Sequence, residues 1–123
     1  MHEHVKDLWI EGLLSGEYKQ TRHVLHDGDG YCCLGVLCRI LGKQFVPAYG
    51  HTVYSCGGNQ VLLPISVQVE AGMKSDSGVL PEPSSYGPVD DDEETLWSLA
   101  DLNDKGVAFD EIASLISKHW ETL

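Results

Sequence analysis

Apolar positions near the start of the chain recur with a helical period. Val5, Leu8, Trp9 and Leu13 stand at i, i+3, i+4 and i+8 and predict an amphipathic helix over residues 3–15, with Gly16 as its stop. A second clean stripe, Phe109, Ile112, Ala113, Ile116 and Trp120, predicts a helix over 109–120. Between them lies a dense apolar run, Tyr31-Cys-Cys-Leu-Gly-Val-Leu-Cys-Arg-Ile-Leu41. Leu34, Leu37, Cys38 and Leu41 form a helical stripe in it, with Gly42 where a C-terminal glycine belongs. A strand also accommodates so apolar a run, and Gly35 within it either weakens the helix or marks a close helix contact. Pro64 suits the start of a short helix reaching Gly72, with Val67 and Ala71 on one face. A further helix is expected from about Glu93 to Asn103, with Leu96, Leu99 and Ala100 facing inward, broken by Asp104-Lys105-Gly106.

Extended structure is expected in three places. His51–Ser55 and Gln60–Leu63 flank Cys56-Gly57-Gly58-Asn59, a hairpin pattern with turn residues at its centre. Tyr18–Leu25 reads as a strand leading into the turn signal Asp27-Gly28-Asp29-Gly30. Residues 74–92, rich in Ser, Gly, Pro and Asp, read as a surface loop too long for a simple connector. The expected fold is α+β: one domain over residues 1–123, with amphipathic helices packed on a short antiparallel β-hairpin or sheet.

Charge changes this picture most. The 123 residues carry a net charge of −11, and it is unevenly placed. Residues 1–62 hold five Lys/Arg and six Asp/Glu, whereas residues 63–123 hold three and thirteen. So acidic a half repels nucleic-acid phosphates and attracts basic surfaces. Its densest part is Asp90-Asp91-Asp92-Glu93-Glu94. The dipole of a helix starting there stabilises some of those carboxylates, though not five. No stretch approaches the length of a membrane span, and Met-His-Glu-His-Val-Lys-Asp at the N-terminus has no leader character. A cytoplasmic setting with reduced thiols is therefore expected.

Several chemistries draw on residue types present in the chain. Cys32, Cys33, Cys38 and Cys56, with His23, His26 and His51, are the right types for zinc, but no Cys-x-x-Cys pair exists, so no metal is expected. A calcium loop from Asp101 fails because Lys105 and Ile112 occupy ligand positions. Residues 102–113 resemble the start of a helix-turn-helix, but the basic residues needed to hold DNA are missing. A Cys33–His51 pair is a candidate for nucleophilic catalysis of the papain or peptidoglycan-peptidase type, since a thiol at a helix start has its pKa lowered. Tyr18, Arg22 and Arg39 are a candidate anion pocket for a nucleotide messenger. No cofactor is expected.

Three segments carry a resemblance: Trp9-Ile-Glu-Gly-Leu-Leu-Ser-Gly-Glu-Tyr-Lys-Gln20, Tyr31-Cys-Cys-Leu-Gly-Val-Leu-Cys38, and Leu99-Ala-Asp-Leu-Asn-Asp-Lys-Gly106 leading into Phe109–Ile116. Together they resemble a family of small uncharacterised proteins common in bacteriophages. The resemblance implies an accessory product working in the cytoplasm of a bacterial host and carries no activity. The leading expectation is a non-enzymatic protein that binds and inhibits a component of antiviral defence. It would use Asp90, Asp91, Asp92, Glu93, Glu94, Asp101 and Asp104 against a basic protein surface, mimicking a nucleic-acid backbone in charge.

Overall fold

The helix at the centre of the molecule is buried on every side over its first six residues. In α2 (Cys33–Ile40), residues Cys33 to Cys38 are all buried and only Arg39 is exposed. A helix that is apolar all round has to be enclosed by others, and here α1 (Glu3–Leu14) and α4 (Leu99–Lys105) pack on it. The outer layer is completed by α5 (Phe109–His119), which lies along α1 and ends in a 3-10 turn at Trp120–Thr122. Between α2 and α4 in sequence come β1 (Val46–Ala48), β2 (Val53–Ser55) and α3 (Ile65–Ala71). The two strands form an antiparallel sheet in which Val46 pairs with Ser55 and Ala48 with Val53. This is a small α+β domain, as the sequence pattern predicts. The computed structural model describes residues 1–48, 50, 52–81 and 96–123. Among these, no helix is long and apolar enough to cross a membrane.

The helices follow the apolar stripes closely. Val5, Trp9 and Leu13 are buried on α1, but Leu8, expected on the same face, is 46% exposed. Phe109, Ile112, Ala113 and Ile116 are buried on α5. The run from Tyr31 to Leu41 resolves as helix, with Gly42 at positive φ behind its C-cap Leu41. Gly35 has a specific cause: a Cβ there would collide with the backbone carbonyl of Leu25. Only a glycine lets the loop before α2 cross the helix at that distance.

Two expectations are corrected. Cys56 and Asn59 exchange backbone hydrogen bonds of 2.8 and 2.9 Å around Gly57 and Gly58, both at positive φ, so the expected turn forms. The strand pairing lies elsewhere, because β2 takes Val46–Ala48 on its N-terminal side as partner rather than Gln60–Leu63. The second correction concerns α4, which begins at Leu99 and not near Glu93. Ser98 caps it: its side chain accepts from the Asp101 N–H at 3.0 Å, and Asp101 accepts from the Ser98 N–H at 3.2 Å. A reciprocal capping box satisfies two helix-end donors at once and so fixes the boundary. Asp90–Glu94 and His51 lie outside the described residues.

No regular strand forms over 18–25. Gln20 and His26 instead make isolated bridges to Tyr31. The Asp27-Gly-Asp-Gly30 turn is closed by Asp27, which accepts from the amides of Asp29 at 3.0 Å and Gly30 at 2.6 Å, and from the Thr21 hydroxyl at 2.7 Å. Partial burial works against its charge, yet these donors hold the Asp27 carboxyl below its usual value. Of the expected loop, only residues 74–81 are described; there Leu80 donates to Trp97 and Leu99 to Gly78, both at 2.9 Å, and Leu80 is buried.

The irregular segment before α2 is joined to α4 by Asn103, which is fully buried. Its Oδ1 accepts from the Cys33 N–H at 3.1 Å and from Gln20 Nε2 at 2.9 Å, while its Nδ2 donates to the Thr21 carbonyl at 2.8 Å. Removing this amide strands the buried Cys33 N–H and takes a partner from the part-buried Gln20 and Thr21, so Asn103→Ala is expected to lower stability by about 2 kcal/mol in urea unfolding. Gly35→Ala, which forces a side chain into backbone, is expected to cost at least about 3 kcal/mol or to abolish folding. Wild-type unfolding midpoints for both variants would overturn this account of the core.

Candidate functional site

Two of the acidic residues singled out from sequence, Asp101 and Asp104, are one turn apart on α4 and line the same cleft, of about 310 Å³. Facing them is the segment 23–24, and the floor is Cys32, the N-cap of α2. Val61 and Leu62 form one wall, and Ser77, Val79 and Ser98 another. The site is thus assembled where the loop before α2, the turn after β2 and the paired segments 78–80 and 97–99 converge on α4.

The geometry of the cleft is fixed from within. Asp104 Oδ1 accepts the backbone N–H of His23 at 2.7 Å, and its Oδ2 lies 3.6 Å from His23 Nδ1. His23 is the only non-glycine residue with positive φ among the described residues, at 70°. A β-carbon in that region carries a steric cost of about 1–2 kcal/mol, and the hydrogen bond to Asp104 holds it there. Asp101 is anchored by the capping box to Ser98. Both carboxylates therefore hold position without a Lys or Arg. Among the described residues, no Lys or Arg lies within ion-pair distance of either one. The nearest basic residue of the helix, Lys105, is turned over the ring of Trp97, 5.2 Å from its centroid.

Cys32 is buried, and its sulfur accepts from the Gly35 N–H at 3.4 Å. That bond and the helix start favour a thiolate, as the sequence argument anticipated, but desolvation outweighs them and pushes the thiol up to about 11. Asp104 adds to the rise. Cys33 is completely enclosed, with its thiol 3.6 Å from the Leu99 carbonyl, and burial raises its pKa as well. The depressed pKa expected of a thiol at this helix start is corrected on both residues. His51, the other half of the candidate catalytic pair, is outside the described residues.

A family model described as a domain of unknown function (DUF8296) matches residues 1–120. The chain belongs to this family. No curated protein and no solved structure matches it. DUF8296 brings no assigned activity, so the chemistry of the cleft rests on its own residues.

The remaining sequence candidates in this DUF8296 chain come from several segments. Tyr18 packs edge-on against Tyr31, with ring centroids 5.4 Å apart. Arg22 lies against Gly106 at the C-terminal end of α4, where a cation complements the helix dipole. Arg39 is exposed in the last turn of α2. Asp110 and Glu111 line a second, shallower groove, between α5 and Ile10 and Leu14 of α1. Among the described residues, no group of three metal-ligating side chains converges. Sequence reasoning missed His23, Ser98 and Cys32 as parts of one site. The chain separations are large, and only the Ser-x-x-Asp spacing of Ser98 and Asp101 was readable.

The Cys32 thiol makes a pH prediction. The unfolded thiol titrates near pH 8.5, so as pH rises the unfolded state loses its proton first. The stability contributed is complete below that pH and is lost as pH climbs towards 11. The expected loss is about 3 kcal/mol. Urea midpoints across this range should fall less steeply for Cys32→Ala than for the wild type; parallel slopes would refute the assignment.

Proposed function

We propose that this protein acts by stoichiometric binding, docking the acidic C-terminal half onto a basic surface of a protein partner. The observation that carries this reading is that several acids of this half, among the described residues, have no Lys or Arg neighbour. Of the acids in residues 63–123, Glu70 is paired with Lys43 at 2.6 Å, whereas Asp101, Asp104 and Asp110 have no Lys or Arg partner among the described residues. An unneutralised field of one sign speeds encounters with a surface of the other sign and repels nucleic acid directly. The buried thiols, with their raised pKa values, favour binding over nucleophilic chemistry.

In the phage setting that the sequence resemblance implies, the partner is a component of bacterial antiviral defence with a basic, nucleic-acid-facing surface. The acidic half then stands in for a phosphate backbone. Affinity capture from bacterial lysate tests this when run at low and high salt with two baits, the wild type and a variant with Asp90–Glu94 replaced by Ser and Asn. The captured partner is expected to elute with salt, and the variant to bind at least about tenfold more weakly at low ionic strength. Capture indifferent to both salt and charge removal would overturn the proposal.

A further inference from the structure

We propose that the cleft on α4 is a receptor for a single arginine side chain of the protein partner, an inference that rests on the binding role above and narrows it. Asp101 and Asp104 stand at i and i+3 on one helix face, where Cβ atoms are about 5–6 Å apart. A planar guanidinium, with donors along two edges, bridges two acceptors at that spacing; an ammonium is a point charge and more strongly hydrated. The walls suit the rest of such a side chain. Val24, Val61, Leu62 and Val79 offer apolar surface to an alkyl stem, and Val61 and Val79 are 49% and 40% exposed at the mouth.

Charge complementarity selects the occupant. An anion meets two carboxylates. A neutral apolar group covers them without replacing their water, which is costly. A cation with an apolar stem satisfies both features together. The site is also organised in advance: one oxygen of Asp101 is held by the Ser98 N–H and one of Asp104 by the His23 N–H, so little ordering remains to be done on binding. The floor adds no competing charge, because Cys32 is buried and uncharged at neutral pH.

The test is an amide-resolved NMR titration of the full chain with N-acetyl-arginine methylamide, its lysine and glutamine counterparts, and spermidine. Arginine is expected to give saturable shifts at His23, Val79 and Asp104 in the millimolar range, at least about threefold tighter than lysine, with glutamine silent. Asp101→Asn and Asp104→Asn keep the oxygens that accept from Ser98 and His23 and remove only charge. Each should weaken arginine binding at least about threefold while leaving the rest of the spectrum in place. No saturable shift by about 50 mM arginine ligand overturns the inference. Shifts outside the cleft do the same, and tighter binding of spermidine makes the site a polyamine pocket instead. The two readings also separate in the lysate experiment. If Asp101→Asn and Asp104→Asn leave salt-sensitive capture intact while loss of Asp90–Glu94 abolishes it, the cleft is not the contact and the broader binding role stands. If capture ignores salt altogether, the broader role itself fails.

Discussion

A helix whose first six residues are all buried cannot leave its first amides to water. That constraint governs the construction around α2. Its N-terminal donors are met by the sulfur of Cys32 at Gly35 and by the side chain of Asn103 at Cys33. The Cys33 carbonyl is itself taken by the Trp9 indole at 2.8 Å. Each of these partners comes from a different part of the chain, so burying one helix draws together α1, α4 and the loop before α2. The apolar stripes supply the driving force for collapse, but these few polar contacts decide which collapsed arrangement is reached.

The parts of the fold legible in the sequence were those written in local periodicity. The stripes of α1 and α5 and the glycines after α2 and α3 carry their own boundaries. The start of α4 was misplaced because the acids before it resemble a first turn. The reciprocal bonds of Ser98 and Asp101 set it later, and that spacing was present in the sequence but outweighed by the charge run. The sheet was misassigned for a related reason. Cys56-Gly-Gly-Asn59 is a sound turn, but a turn does not oblige its flanks to pair, and β2 found its partner upstream.

The cleft was legible only in fragments. Asp101 and Asp104 were noted for charge, and Cys32 for its place near a helix start. Nothing local connects His23 to Asp104 across 81 positions; that link exists only because Asn103 fastens Thr21 beside α4. The sign of the thiol shift also needed the structure. A helix terminus and an amide donor lower a pKa, burial raises it, and only the packed molecule shows that burial is the larger effect here.

The junction at Asn103 also bears on how the molecule moves. The floor of the cleft at Cys32, its rim at His23 and its wall on α4 all hang from the same amide, and that amide is wedged among the most enclosed residues of the protein. Loosening the α4 wall or the segment that carries His23 therefore means breaking the bonds of Asn103 to Cys33 and Thr21. Hydrogen exchange at these positions belongs with the slowest, whole-molecule opening rather than with the loops around them. On that side the recess is held by the same bonds that join α4 to the start of α2.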